Sequence, residues 1–136
     1  MTGASTPRQA VESFLAAARS QDLQAMSVVW GTDHGPARDI IDRDVLEKRE
    51  IIMVCFFGAE KSAIGDEATG QDGSRTFTVT LTKGSLTRQT DFTAVRGPAD
   101  RWYVQNADIL KVRDFCKSDK PDSLRFQGVV PREVPQ

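Results

Sequence analysis

The sequence contains few of the residues on which metal centres and common catalytic sites depend. One histidine and two widely separated cysteines occur in 136 residues, so a zinc site would need scattered carboxylates as its other ligands. The phosphate-binding motifs GxxxxGKS/T and GxGxxG and the hydrolase motif GxSxG are also absent. We therefore expect no metal and no cofactor.

Charge and hydropathy exclude two further kinds of partner. Eighteen basic and nineteen acidic residues leave a formal net charge of -1, so the chain has no excess of positive charge with which to bind nucleic acid or an anionic membrane surface. No apolar run reaches the roughly eighteen residues that a membrane-spanning helix needs. With 39% hydrophobic residues, the sequence is typical of a globular protein with one domain.

The N-terminus leaves two compartments open. The opening "MTGASTPRQ" lacks the charged and apolar regions of a signal peptide, which is typical of a cytoplasmic protein. The same opening is also what remains when an export signal is removed and replaced by a start codon. A lipid anchor, and with it any attachment to a membrane, would belong to such a missing leader.

Helical spacing of apolar residues predicts two helices in the first thirty residues. Thr6 and Pro7 form a typical helix start, because the threonine oxygen can accept a hydrogen bond from a free backbone N–H group and proline suits the first position. We expect the first helix over 7–20. Asp22 is a candidate cap for a second, shorter helix that Gly31 should end.

The third predicted helix is the most apolar one. It follows a connection at 31–38 that contains two glycines and a proline, and it should end at Gly58. One apolar face is predicted to contain Ile41, Val45, Ile52, Cys55 and Phe56, widened by Leu46, Met53 and Phe57. We therefore expect most of this helix to be covered by the rest of the protein.

Beyond residue 59 apolar residues recur at every second position, as in β-strands. Between 76 and 82 they alternate with threonines, which predicts one buried and one solvated face. Asp72 and Gly73 form a strong hairpin signal, and two further turn sequences follow. We expect four antiparallel strands joined as a meander, at about 60–69, 76–82, 85–96 and 101–112.

The fold class that follows from these elements is α+β, with three N-terminal helices before a four-stranded antiparallel sheet. We expect residues 1–5 to be a flexible N-terminus and residues 6–116 to form a single domain. Three prolines among the last sixteen residues interrupt any regular element. We therefore expect residues 117–136 to be an irregular tail.

The order of these elements and two segments resemble the nuclear transport factor 2-like, or cystatin-like, superfamily. The segments are "TPRQAVESFLAAARSQDLQAMSVVW" at 6–30 and "DRWYVQNADIL" at 100–110, and the likeness covers roughly residues 6–112. It implies a curved antiparallel sheet roofed by the three helices, which together form a cone. Within the superfamily the chain looks most like small exported or lipid-anchored bacterial domains without an assigned activity.

Enzymes of this superfamily, such as ketosteroid isomerases, scytalone dehydratases and polyketide cyclases, work in the cavity of the cone and place acid or base groups on strands. Asp91 and Asp108 lie on predicted strands, and a carboxyl group in the cavity would have a raised pKa and could transfer a proton. Because Asp91 alternates with Phe92, it faces solvent if Phe92 faces the core, and we favour solvated aspartates. The single histidine excludes a dehydratase-type histidine pair.

The stretch "WGTDHGPARDIIDRD" at 30–44 contains the only histidine. His34 could act as a general base oriented by Asp33, since histidine titrates near neutral pH. Adjacent side chains usually project in different directions, however, and the nearby glycines and proline indicate a turn. We favour an exposed turn, in which Asp33 caps a backbone N–H group, over an active site.

Trp30, Phe92 and Trp102 are candidate ligand-binding residues, together with His34, because aromatic side chains often line apolar pockets. The alternative is that the aromatic residues fill the core, where each buries a large area, and we favour core filling for most of them. Trp30, at the end of a helix beside the 31–38 connection, is the best candidate for the mouth of a cavity.

The two cysteines are candidates for a disulfide. Cys55 lies near the end of the third predicted helix, and Cys116 follows the last predicted strand. In the superfamily the last strand packs across the third helix, which implies that the two residues can meet. A bridge across so long a loop is worth about 4 kcal/mol in the chain-entropy model. Two buried thiols in a reducing cytoplasm are the alternative, and we favour the bridge.

Three hypotheses on function remain open. The favoured one is a noncatalytic domain, exported or lipid-anchored in the bacterial cell envelope, that binds a small apolar molecule or a protein partner. The second is a proton-transfer enzyme of isomerase, dehydratase or cyclase type, with Asp91, Asp108 or His34 as the base. The third is a structural homodimer that pairs through the threonine-rich outer face of the sheet, as relatives often do.

Overall fold

Four helices precede a four-stranded antiparallel sheet in the computed structural model, which describes residues 1–116. The helices are α1 (Pro7–Ser20), α2 (Leu23–Ser27), α3 (Ala37–Ile40) and α4 (Arg43–Phe57). A two-stranded ribbon of β1 (Gly31–Thr32) and β2 (Gly35–Pro36) lies between α2 and α3. The sheet consists of β3 (Lys61–Thr69), β4 (Arg75–Lys83), β5 (Leu86–Arg96) and β6 (Trp102–Ala107), in that order.

The predicted α+β class and the antiparallel meander are confirmed, because each strand from β3 to β6 pairs with the next one along the chain. Apolar and polar residues alternate along β4 as predicted. On the face that meets the helices, the fully buried apolar residues of β4 and β5 are Phe77, Val79, Leu81, Phe92 and Ala94. The predicted tail at 117–136 lies outside the described residues.

The helix α1 begins and ends where the sequence predicts. The Thr6 hydroxyl oxygen accepts a hydrogen bond from the backbone N–H of Gln9 (3.1 Å), and Pro7 occupies the first turn. At the other end, Gln21 adopts a left-handed conformation that caps the last carbonyl groups. Between these caps one face of small and apolar residues is buried: Ala10, Val11, Phe14, Leu15, Ala17 and Ala18.

The helix α2 is shorter than predicted. The Asp22 carboxylate caps it by accepting a hydrogen bond from a backbone N–H group three residues further on (3.0 Å), but the helix ends at Ser27. The next residues pair with the sheet instead. Val104 of β6 donates its N–H to the carbonyl oxygen of Val29 (2.9 Å), and Trp30 forms a parallel bridge with Val104. The strand β6 therefore forms the hydrogen bond to the Val29 carbonyl group that a longer helix would have formed internally.

The third predicted helix is two helices, so four helices rather than three precede the sheet. Ile41 adopts an extended backbone, which ends α3 after one turn, and α4 starts only at Arg43. The end of α4 is as predicted, because Gly58 follows it and donates its N–H to the Val54 carbonyl oxygen (2.8 Å). No glycine or proline marks the break at Ile41, so helix propensity alone does not reveal it.

The buried face of α4 agrees in part with the predicted one, because Leu46, Met53, Phe56 and Phe57 are buried. The predicted face included Val45, but Val45 is 39% exposed, and nearby Ile51 is 59% exposed. The buried residue that was not predicted is Glu50, which lies at helical spacing between Leu46 and Met53. Glu50 interrupts the apolar pattern of this face. Because an acidic residue ordinarily marks the solvated side of a helix, Glu50 itself was not predicted to be buried.

The last strand is shorter than predicted. We expected a strand over 101–112, but β6 ends at Ala107. The Asp108 carboxylate accepts a hydrogen bond from the backbone N–H of Leu110 (3.1 Å) and so starts a run of 3-10 helix, Ile109–Cys116. An aspartate that bonds to the backbone two residues further on competes with a strand ladder, and this ends the sheet.

Cys55 and Cys116 form the predicted disulfide, with Cα atoms 5.4 Å apart. The bridge joins the end of α4 to the end of the 3-10 segment. The ammonium group of Lys83 lies beside it and donates hydrogen bonds to the backbone carbonyl oxygens of Cys55 (3.0 Å) and Phe115 (2.7 Å). The 3-10 segment is therefore attached to α4 both covalently and through hydrogen bonds.

The first residues of the chain contact the sheet. Gly3 donates its N–H to the carbonyl oxygen of Val28 (2.7 Å), and Ala4 exchanges two backbone hydrogen bonds with Trp102 of β6. Ala4 is buried. The segment 1–5, which we expected to be flexible, therefore contains two residues that are held by backbone hydrogen bonds.

Three phenylalanines form the centre of the core between the helices and the sheet. Phe14 of α1, Phe57 of α4 and Phe92 of β5 contact one another edge to face, with ring centroids between 5.1 and 6.1 Å apart. The cluster connects both long helices to the inner face of the sheet. A cavity remains beside this cluster, and Phe14 and Phe57 form part of its lining.

Candidate functional site

A cavity of about 250 Å³ lies between the inner face of the sheet and the helices, and we call it the central cavity. Its apolar lining consists of Phe14, Trp30, Ala37, Ile40, Ile41, Met53, Phe57, Val104, Ala107 and Ile109. The rest of the lining consists of Gly31, Thr32, Arg49, Gln105 and Asn106. Many apolar groups with a few polar ones are typical of sites for small molecules.

The helix α4 and the strand β6 provide opposite sides of the central cavity. Arg49, Met53 and Phe57 lie four residues apart on α4, so their side chains share one side of the helix. The last four residues of β6 also line the cavity. Ala107 pairs with Phe92, whose ring lies in the core, so the Ala107 side chain also lies on the inner face of the sheet.

The segment between α2 and α3 closes a third side. Trp30 and Thr32 line the central cavity, and the pairing of Trp30 with Val104 fixes this segment to β6. Glycine is required at position 31, because a Cβ atom on Gly31 would overlap the backbone carbonyl oxygen of Gly35 in the β1–β2 ribbon. The tight ribbon therefore holds Trp30 and Thr32 in place.

Arg49 is the one charged residue among the described residues that line the central cavity. Its Nε atom is buried and has no hydrogen-bond partner within residues 1–116. No carboxylate in that part of the chain forms an ion pair with it. A guanidinium group is always protonated in proteins and can only donate. Since a buried donor without a partner costs about 1–3 kcal/mol, the cavity contains a positive group whose hydrogen bonding is incomplete.

Of the four predicted ligand-binding residues, Trp30 lines the central cavity and the other three do not. Phe92 is fully buried in the aromatic core. Trp102 is buried at the other end of β6, where two arginine guanidinium groups lie 5.7 and 5.2 Å from its ring. The side chain of His34 is 85% exposed. The structure therefore does not bring the four predicted residues together.

The predicted acid and base candidates also lie outside the central cavity. Asp91 forms a surface ion pair with Lys111 (2.7 Å), and the hydrogen bond and opposite charge of Asp91 raise the pKa of Lys111. Asp108 caps the 3-10 segment. The Nε2 atom of His34 lies 3.6 Å from the Asp33 carboxylate, and both side chains are exposed. The pair belongs to an exposed turn between β1 and β2.

A second cavity, of about 400 Å³, lies between α2, α3 and α4, and we call it the Glu50 pocket. Its lining consists of Leu23, Gln24, Ser27, Val28, Arg38, Asp39, Ile41, Arg43, Leu46, Glu47 and Glu50. Glu50 is 1% exposed, and its Oε2 atom has no hydrogen-bond partner within residues 1–116. Burial, followed by the negative charges of Glu47 and Asp22, raises the pKa of Glu50 to about 7.

Neither Arg49 nor Glu50 was predicted as a functional residue from the sequence. A signal for them was present, because Leu46, Met53 and Phe57 recur at helical spacing. Glu50 lies four residues after Leu46, and Arg49 lies four residues before Met53, so both fall within the apolar repeat. A charged residue at a position where an apolar repeat predicts burial is a candidate for a functional group.

No protein-family model, no curated protein and no solved structure matches the chain. Within residues 1–116, no group of three or more His, Cys, Asp and Glu side chains is placed to hold a metal ion. In the same part of the chain, no helix combines the length and the apolar character needed to cross a membrane. The two cavities are therefore interpreted from their own geometry.

Proposed function

We propose that the protein is a noncatalytic binding domain that takes a small, mainly apolar molecule into the central cavity. The observation that carries this proposal is the largely apolar lining of a space of about 250 Å³ between the sheet and the helices. An apolar cavity of about 150 Å³ in another protein holds benzene. The central cavity therefore has room for one or two fused rings or for a short acyl chain.

We also propose that the domain belongs to the nuclear transport factor 2-like superfamily, with the sheet curved around the helices as a cone. The order of elements supports this, because the helices precede an antiparallel meander. The position of the central cavity between α1, α4 and the inner face of the sheet also supports it. In the superfamily's enzymes the ligand lies in the corresponding place.

The compartment that we propose is the bacterial cell envelope, reached by export or by a lipid anchor. The disulfide between Cys55 and Cys116 supports this, since disulfides persist in oxidising compartments and are rare in the cytoplasm. Titration of free thiols in the unfolded, unreduced protein tests the bridge. Two reactive thiols would contradict both the bridge and the compartment that rests on it.

The two alternative functions have less support. A proton-transfer enzyme would need an acid or base in the cavity, and Asp91, Asp108 and His34 lie outside it. The homodimer through the outer face of the sheet stays a prediction. Sedimentation equilibrium tests it, and Thr78→Arg on that exposed face should dissociate such a dimer.

Binding is tested with 2-acetylnaphthalene, a neutral molecule with two fused rings, by following backbone amide resonances in nitrogen–proton NMR spectra. We expect saturable shifts for residues that line the central cavity, such as Thr32 and Ala107. Ala107→Leu should lower the affinity by about fivefold or more, because the larger side chain fills part of the cavity.

The matched control is Ala68→Leu, the same change at an exposed position of β3. It should leave the affinity unchanged, because β3 residues do not line the central cavity. Spectra without saturable shifts would contradict the proposed function, and so would equal effects of Ala107→Leu and Ala68→Leu.

A further inference from the structure

Of the four polar side chains that line the central cavity, Thr32, Arg49 and Asn106 have donors to offer, and Gln105 carries an amide that can both donate and accept. The Nε–H group of Arg49 is buried and has no acceptor within residues 1–116. The Oγ1 atom of Thr32 already accepts a hydrogen bond from the backbone N–H of His34 (3.0 Å), which leaves its hydroxyl hydrogen for another acceptor. The Oδ1 atom of Asn106 accepts one from the backbone N–H of Ala107 (3.0 Å), which leaves its amide N–H groups as donors.

A ligand that satisfies these donors must bring acceptor atoms, and a negatively charged acceptor suits them best. Among the described residues that line the central cavity, none is acidic, so the charge of Arg49 is not compensated from within. A carboxylate can accept hydrogen bonds from a guanidinium group with both oxygens. Such charge-assisted bonds are roughly twice as strong as bonds between neutral groups.

The number of charges that the cavity can accept is limited. Arg49 is a single positive group in a largely apolar lining, so it neutralises one negative charge. A dicarboxylate or a doubly charged phosphate ester would keep a second charge in apolar surroundings, which is costly unless that charge is paired. The ligand class that fits both the charge and the lining therefore combines one carboxylate with an apolar body.

We propose, on the basis of the proposed function, that the central cavity selects small amphipathic monocarboxylates, with one carboxylate on an aromatic ring or a short branched chain. Arg49 binds the carboxylate through its guanidinium group, and Asn106 and Thr32 supply further donors. The apolar body of the ligand lies against the side chains of Trp30 and Met53.

The test compares 2-naphthoate with 2-acetylnaphthalene, which has nearly the same shape and no charge. Both are titrated at neutral pH into the full chain, with the NMR measurement described above. The wild-type protein should bind the acid about ten to a hundred times more tightly than the ketone. Arg49→Met should abolish this preference and change the affinity for the ketone by less than about threefold.

The matched control is Arg43→Met, which removes the same charge from the same helix at a position whose side chain is 85% exposed. It should keep the preference for the acid, which separates a specific contact from a general effect of net charge. The Nε–H resonance of Arg49 in the wild-type protein gives a readout that needs no variant. It should shift by more when 2-naphthoate is added than when the ketone is added, because the carboxylate is a charged and stronger acceptor.

Each result has a distinct meaning. If the ketone binds and the acid binds no more tightly, the selection of carboxylates is wrong while the proposed binding function stands. If neither molecule binds, the proposed function fails and the carboxylate proposal fails with it. A preference for the acid that survives in Arg49→Met would also overturn the proposal, because another group would then recognise the carboxylate.

Discussion

Arg49 and Glu50 are neighbours on α4, yet their side chains line different cavities. Arg49 lines the central cavity between the sheet and the helices, and Glu50 lines the pocket between α2, α3 and α4. Each has a buried polar atom without a hydrogen-bond partner in residues 1–116. The helix therefore carries two neighbouring groups of opposite charge, a half-buried Arg49 and a buried Glu50, that do not form an ion pair with each other.

Burial affects the two groups differently because only one of them can lose its charge. The guanidinium group of Arg49 stays protonated, so its hydrogen bonding is completed only by an acceptor from outside residues 1–116. The carboxyl group of Glu50 can take up a proton, and burial raises its pKa to about 7. In the proposal above, ligand binding offsets the cost of removing the charge of Arg49 from water, whereas protonation does so for Glu50.

The largest expected effect is on the free energy of unfolding, and it does not distinguish the two cavities. Both are lined by α4, whose end the disulfide anchors. Replacing Cys55 and Cys116 with alanine should lower the free energy of unfolding by about 4 kcal/mol, since the bridge restricts the unfolded chain over a long loop. Urea denaturation measures the loss, and a reductant added to the wild-type protein should reproduce it. A double variant as stable as the wild-type protein would contradict this expectation.

The second effect is a pH dependence of the free energy of unfolding, and it concerns only the Glu50 pocket. Below about pH 4.5 Glu50 is protonated in both the folded and the unfolded protein. Between pH 4.5 and about 7 the unfolded chain ionises first, so the stability of the wild-type protein falls as pH rises, and above that range the loss is constant. Relative to the wild-type protein, Glu50→Gln should therefore gain at most roughly 3 kcal/mol between pH 4.5 and 8.

Urea denaturation at several pH values gives both stability curves. The control is Glu12→Gln, which changes an exposed acid on α1 and should leave the pH dependence as it is. Parallel curves for the wild-type protein and Glu50→Gln would show that the carboxyl group of Glu50 has the same pKa in the folded and unfolded states. The Glu50 pocket would then leave the pKa of this carboxyl group at the value that it has on the protein surface.

A smaller effect is expected for Arg49→Met, and it has no pH dependence between pH 4.5 and 8. The change replaces an unpartnered buried donor with an apolar side chain, so the ligand-free protein should become more stable by about 1–2 kcal/mol. Arg43→Met, at an exposed position, should change the stability by about 0.5 kcal/mol or less. Destabilisation by Arg49→Met in urea denaturation would mean that the guanidinium group already has a partner in the folded protein.

The smallest effect is expected for Asp91→Asn. Asp91 pairs with Lys111 on the surface and lines neither the central cavity nor the Glu50 pocket. The change should therefore leave the affinity for 2-naphthoate and 2-acetylnaphthalene unchanged in the NMR titration. A clear loss of affinity would make Asp91 part of the site and weaken the contrast between the two cavities.

Elements that depend on local signals could be predicted from the sequence. Thr6 and Pro7 start α1, Asp22 caps α2, and Asp72 with Gly73 supplies the positive backbone angles between β3 and β4. Each of these residues acts on backbone groups a few positions away. The disulfide was predicted from the superfamily resemblance, which placed two distant segments side by side.

Features that depend on packing could not be predicted in the same way. The end of α2 is set by pairing of Val29 and Trp30 with β6. The break at Ile41 had one local signal that was not used, Asp42 at the N-cap position of α4. The candidate site was therefore anticipated only through Trp30, which lines the central cavity. Leu46, Met53 and Phe57 were predicted on the covered face of α4, but Arg49 and Glu50 were not included with them because charged residues ordinarily mark the solvated side of a helix.

Lys83 contacts both cysteine-bearing segments through hydrogen bonds that do not involve sulfur, and we expect these bonds to keep the two cysteines close after reduction. Its ammonium group contacts one backbone carbonyl oxygen from each of the segments that carry Cys55 and Cys116, and its positive charge suits the carbonyl-bearing end of a helix. The reduced thiols therefore meet at a high effective concentration. Reoxidation of the folded protein is then intramolecular, and mixed disulfides with other thiols are disfavoured.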